Sequence, residues 1–141
     1  IRAISSIFPN SYFVWVRRDL AETVYSILES RKKLCIPENN WWGIRPPNYK
    51  KKLSLNEIER VIWQVKEVEN IIERDLEKSE KKWIVIDYKD LCNDPISELK
   101  KTAKTFEMRT YLKPLKDLVP NSFKYSTHRH TELYNLIKEK I

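Results

Sequence analysis

Two short apolar runs, YFVWV at residues 12–16 and WIVID at 83–87, each pass directly into a helix signal. That repeated pairing constrains the chain more than any other feature. Aromatic and β-branched residues suit a pleated surface, and an unbroken apolar run of this length predicts a buried strand. The order along the chain is strand, helix, loop, helix, strand, helix, tail. It predicts an α/β fold of short parallel strands flanked by helices, mostly helical by residue count, with strands buried on both faces. Two strands alone make a poor sheet, because their faces and edges need cover. Either a third strand lies within 109–126, or part of the sheet is outside this sequence, and the second is the reading preferred here.

The helices are marked by their ends. Asp19 is placed as an N-cap, with Glu22 three residues on completing a capping box. The helix then runs to about Leu34, with Leu20, Val24, Ile27, Leu28 and Leu34 on its apolar face. Residues 1–7 read as the end of a helix and FPNS as a turn. Leu55, Ile58, Ile62, Val65, Val68, Ile72 and Leu76 mark a long amphipathic helix over 54–78. Asp94 followed by Pro95 opens another, with Ile96, Leu99, Ala103 and Phe106 inward. Residues 109–130 are loop-like, with Pro114 and Pro120, and a short helix starts near Thr131. Between the first two long helices, CIPENNWWGIRPPNYKKK at 35–52 holds three prolines and the chain's one glycine, Gly43, so it reads as an irregular loop of functional length.

With 141 residues the prior is one domain, here 1–141. Hydrophobic residues make up 41% and charged residues 33%, a globular balance. The net charge of +7 suggests an anionic partner, although lysine runs at 32–33, 50–52 and 81–82 also suit a solvated surface. One glycine excludes a Gly-rich phosphate loop from these residues. Cys35 and Cys92 have no metal-ligand spacing, so no metal is expected, and a reducing compartment is the default with a single disulfide left open. No run approaches the ~20 apolar residues of a membrane span. No signal peptide is visible, and the expected localisation is cytoplasmic.

In open α/β sheets ligands sit beyond the carboxyl ends of the strands. Arg17, Arg18 and Asp19 stand at one such end; Asp87, Tyr88 and Asp90 stand at the other. Ser26 lies two turns into the helix after Arg18, about 10 Å along its axis from the cap. A guanidinium and a helix-flank hydroxyl at that interval suit a tetrahedral anion such as phosphate. An Arg–Asp surface pair beside a solvated Ser would account for the same residues.

Three segments, in this order, resemble the sulfotransferase family, whose members transfer a sulfuryl group from 3′-phosphoadenosine 5′-phosphosulfate (PAPS). IFPNSYFVWVRRDLAETVYSILESRKKL is similar to the family's strand ending in Arg-Asp-Pro with Ser eight residues after the Arg. Leu20 replaces the Pro. By that resemblance Arg18 and Ser26 bind the 3′-phosphate of PAPS or 3′,5′-ADP. WIVIDYKDLCNDPISELKKTAKTF resembles the strand, Tyr-Glu-Asp-Leu, Asp-Pro and helix that follow, with Lys89 for Glu. Tyr88 matches a tyrosine that contacts adenine in some members, and would equally serve as a partly buried core residue. WWGIRPP, followed by Trp63-Gln64, resembles a bacterial-type branch, where Trp41 and Trp42 either line an acceptor pocket or pin the loop. Lys124, His128 and Arg129 fall where many members have a late nucleotide-binding loop.

The resemblance implies part of a P-loop-NTPase-like sulfotransferase fold over residues 1–107, extending weakly into the tail. It implies a nucleotide sulfate donor, a hydroxyl or amine acceptor of unknown identity, and no metal. The family's phosphosulfate-binding loop and its catalytic base are expected upstream of residue 1, since His128 and His130 come too late to be that base. Catalytic residues are therefore unassigned, and the fragment alone is expected to be inactive. Two other readings compete: a non-catalytic sulfotransferase-like remnant, and a basic nucleic-acid-binding domain built on the Trp- and Lys-rich loop.

Overall fold

The computed structural model describes residues 1–108 and 118–141. The chain falls into two compact bodies, one of Ile1–Arg18 with Arg74–Ser126 and one of Asp19–Glu73 with Thr127–Ile141.

The first body holds a short helix α1 (Arg2–Ile7), strand β1 (Phe13–Arg17), strand β2 (Trp83–Asp87) and two helices that follow it, α4 (Tyr88–Asn93) and α5 (Pro95–Thr105). The two strands pair in parallel, with Phe13 opposite Trp83 and Arg17 opposite Asp87. Both predicted strands are therefore present, β1 one residue later than its run suggested. Burial on both faces is not observed. Val14 and Val16 are 46% and 44% exposed, whereas Ile86 is buried. The reason is the position of the cover. Helices α4 and α5 pack on β2, and no described strand pairs with the outer side of β1. Tyr12, just before β1, stacks on the buried Phe106 at 4.8 Å. Residues 118–126 carry no strand, and residues 109–117 of the alternative third strand, with Pro114, lie outside the described residues.

Helix α4 was not anticipated. Asp87 ends β2 and caps it: its Oδ1 accepts from the Lys89 N–H at 2.7 Å. Asp94 then caps α5 by accepting from the Ser97 N–H at 2.9 Å, with Pro95 in the first turn, as its sequence predicts. Ala103 and Phe106 face the interior, while Leu99 is at the surface.

The second body is built from α2 (Leu20–Lys33), the greater part of α3 (Glu57–Glu77), a 3₁₀ turn at Tyr49–Lys52 and α6 (Glu132–Lys140). Ala21, Val24, Tyr25 and Leu28 of α2 meet Val61, Ile62 and Val65 of α3 and Tyr134 and Ile137 of α6 in one apolar core. Each entry is capped by a short polar side chain. Asp19 accepts from the Glu22 N–H at 3.0 Å, Asn56 from the Glu59 N–H at 3.0 Å, and Thr131 from the Tyr134 N–H at 3.2 Å. The Asn56 cap explains why α3 begins at Glu57 rather than at 54. Leu34, placed on the apolar face of α2 by its spacing, is exposed, because the helix ends at Lys33 and the chain turns away through Cys35 at φ +50°.

Three buried side chains grip the loop between α2 and α3 by its backbone. Arg31 donates to the carbonyls of Asn40 at 3.0 Å, Pro37 at 3.1 Å and Glu38 at 3.3 Å, and its Nε pairs with Glu57 at 2.5 Å. Arg60 donates to the carbonyls of Glu38 and Leu53. Gln64 Nε2 donates to those of Trp42 at 3.0 Å and Ile44 at 2.8 Å. Buried charge and amide groups of this kind are stable only when their donors are satisfied, and here the loop carbonyls satisfy them. Gly43 sits between the two carbonyls held by Gln64, at φ +82°, and a Cβ there would meet Gln64 Nε2 at 3.3 Å. The single glycine therefore stands where both backbone angle and space favour it.

Candidate functional site

The register of the parallel pair builds the site. Because Arg17 is opposite Asp87, the next residues, Arg18 and Tyr88, leave the sheet side by side at its carboxyl edge. The Asp87 cap makes Tyr88 the first residue of α4. The Arg18 guanidinium lies 5.2 Å from the centre of the Tyr88 ring, a cation–π distance. Its Nη2 donates to the Ser126 carbonyl at 3.3 Å. Tyr125, one residue earlier, sets its ring 5.9 Å from that of Tyr88. Within the first body, a half-buried cation thus faces the Tyr88 ring at the strand ends, and the Tyr125 ring adjoins that of Tyr88.

The Tyr88 phenol is tied inward. A hydrogen bond with the buried Cys92, one turn along α4, holds its pKa above the ordinary 10.0, with the neighbouring thiol charge and burial acting in the same direction and Arg18 opposing them. Tyr88 is therefore a neutral phenol at physiological pH, with the Arg18 guanidinium facing its ring. Both cysteines are free thiols, Cys35 exposed and Cys92 buried.

Ser26, Glu22, His128, Arg129 and His130 belong to the second body, and Lys124 to the first. Ser26 lies half-buried on the flank of α2, and its carbonyl accepts from Ser30 Oγ at 2.8 Å. Asp19 caps the Glu22 N–H as expected, and the Glu22 side chain reaches the chain at His128. It is fully buried, its Oε1 accepts from the His128 N–H at 3.3 Å, and Arg129 lies 4.0 Å away. His128 stacks on Tyr25 at 4.2 Å with the rings 15° apart. His128 and Arg129 are thus joined to α2, whereas Lys124 and His130 are exposed.

Trp41 donates its indole N–H to the Ile44 carbonyl at 2.9 Å and meets Tyr49 and Trp63 edge-on at 5.0 and 6.2 Å. These contacts fasten the loop to α3. Trp42 is half-buried, with its carbonyl held by Gln64. Among the described residues no group of three or more His, Cys, Asp or Glu could hold a metal ion, and no helix is long and apolar enough to cross a membrane.

Sequence reasoning missed Tyr125 and Cys92 as partners of Tyr88. Tyr125 is 37 positions away, and no local pattern announces such a contact. Cys92 does carry a local signal, since it lies four residues after Tyr88 and so on the same face of a helix.

Arg18 offers a permanent, planar set of donors, and Tyr88 and Tyr125 offer ring surfaces beside it. Such an arrangement is chemically suited to an anionic group attached to a flat ring system. A family model described as the Sulfotransferase family matches residues 1–111 of the 141. The chain belongs to the sulfotransferase family. No curated protein and no solved structure matches it.

Proposed function

We propose that this chain contributes the nucleotide-anchoring part of a PAPS-dependent sulfotransferase. Arg18 and Ser26 bind the 3′-phosphate, and Tyr88 contacts the adenine. The observation that carries the reading is the Arg18–Tyr88 pair at the carboxyl edge of the parallel strands, where open α/β sheets receive their ligands. The residues fit the donor: a guanidinium for phosphate oxygens, a hydroxyl on a helix flank, and aromatic surface for a purine.

The reaction is an in-line displacement in which an acceptor hydroxyl or amine attacks sulfur, forming the new S–O or S–N bond. The S–O bond to the nucleotide breaks, 3′,5′-ADP leaves, and the acceptor proton passes to a base. Arg18 and Ser26 act on a phosphate that does not react. They anchor the donor and select it over nucleotides lacking a 3′-phosphate, a positioning contribution rather than a chemical one. The family match over most of the chain and the order of its three segments support this reading.

The test is calorimetric titration of the intact protein with 3′,5′-ADP and with 5′-AMP. The 3′-phosphate should improve affinity at least about tenfold, since a charge-assisted hydrogen bond contributes ~1.5–3 kcal/mol. Equal affinities would remove the 3′-phosphate clamp.

A further inference from the structure

The loop of the second body carries a surface that nucleotide anchoring does not use. From Asn39 to Asn56 there are four cations, Arg45, Lys50, Lys51 and Lys52, and no acidic residue. Arg45, Lys50 and Lys51 are exposed. Two of the four cations are set against aromatic rings, Arg45 at 5.5 Å from the Tyr49 ring and Lys52 at 5.5 Å from that of Trp63. Beside these charges stand two large apolar side chains, Ile44 at 66% and Leu53 at 42% exposure. Their carbonyls are held by Gln64 and Arg60, one turn apart on α3, so both side chains are presented from a fixed backbone on neighbouring turns.

A merely solvated lysine loop has no need of exposed Ile and Leu, nor of three buried side chains to hold its backbone. A polyanion read by base stacking is another partner such charges could take, but the exposed Ile44 and Leu53 side chains have no role in it. Clustered cations with adjoining large apolar side chains match a different surface, the interface of an anionic bilayer. There lysines meet lipid headgroups and apolar side chains enter the acyl boundary. We propose that residues 44–53 form a peripheral docking surface for anionic membranes. The charge complementarity fixes the class of partner, and Ile44 and Leu53 favour a bilayer over a soluble acidic polymer. The proposal is independent of the donor reading.

The test is flotation of the full chain with vesicles of neutral phosphatidylcholine and with vesicles containing about one third phosphatidylglycerol. Binding should occur to the anionic vesicles only. Lys50→Gln with Lys51→Gln should weaken it about twenty-five-fold, roughly fivefold for each charge removed. Ile44→Ser, an exposed change that leaves the loop's backbone bonds in place, should weaken it severalfold and more completely in high salt, where the electrostatic part is screened. Absence of binding, or binding unaffected by both variants, would overturn the proposal. So would loop-dependent binding to a heparin-like glycan or an oligonucleotide that is indifferent to Ile44→Ser.

Discussion

The Arg18 guanidinium lies over the ring of Tyr88, 5.2 Å from its centre, because the parallel register brings the residues after Arg17 and Asp87 together. One residue supplies charge and the other supplies a flat surface. The pair is the structural core of the donor-binding reading.

Arg18→Ala should therefore weaken 3′,5′-ADP binding at least about tenfold, with little effect on folding, because the residue is only half-buried. Calorimetry on the intact protein measures it. Unchanged affinity would take Arg18 out of the site.

The phenol of Tyr88 gives a pH signature. Its folded pKa is raised above 10.0, chiefly by the hydrogen bond with Cys92, so the native state holds this proton more tightly than the unfolded chain. The stability it contributes is fully present below about pH 10 and is lost as pH rises through the folded pKa. Tyr88→Phe should make the decline of stability above pH 10 shallower, read by urea denaturation across the alkaline range. An identical slope in the variant would show that the phenol does not titrate with folding.

Arg31 holds three loop carbonyls and Glu57 at once. Lysine has the charge but not the planar fork that reaches several acceptors together. Arg31→Lys should cost about 2–3 kcal/mol of stability through unmet hydrogen bonds in a buried site. A loss under about 0.5 kcal/mol, the range of a surface change, would mean the fork is dispensable.

Gly43→Ala imposes a side chain at φ +82° and crowds Gln64 Nε2. The left-handed backbone alone costs an L-residue about 1–2 kcal/mol. The fall in denaturation midpoint should be accompanied by faster proteolysis within 39–52, since loosening Gln64 releases the carbonyls of Trp42 and Ile44. An unshifted midpoint would sink the assignment.

The features legible in the sequence are those encoded locally. Asp19 and Asp94 cap the helices they were expected to cap, and the last helix begins just after Thr131. The runs at 12–16 and 83–87 form the strands, the first shifted one residue onward, and the resemblance to the sulfotransferase family is met by the family model over residues 1–111. What escaped depends on contacts distant in sequence. The exposure of Val14 and Val16 accompanies helices packed chiefly on β2 and the lack of a described strand beyond β1. Glu22, apparently a capping residue, becomes a buried acceptor for the chain at His128. Arg31 and Arg60 look like ordinary basic residues of amphipathic helices until the loop folds over them. Their burial is settled by which carbonyls arrive, and periodicity carries no information about that.

The grip on the loop has one more consequence. Arg31, Arg60 and Gln64 hold the loop by its carbonyl oxygens, which every amino acid possesses, rather than by its side chains. Gly43 aside, the outward-facing residues such as Ile44, Arg45 and Lys50 can be exchanged without loosening the frame that presents them. The loop is thus a mounting on which selection, or a protein engineer, can change the exposed chemistry while its shape is kept by the helices beneath.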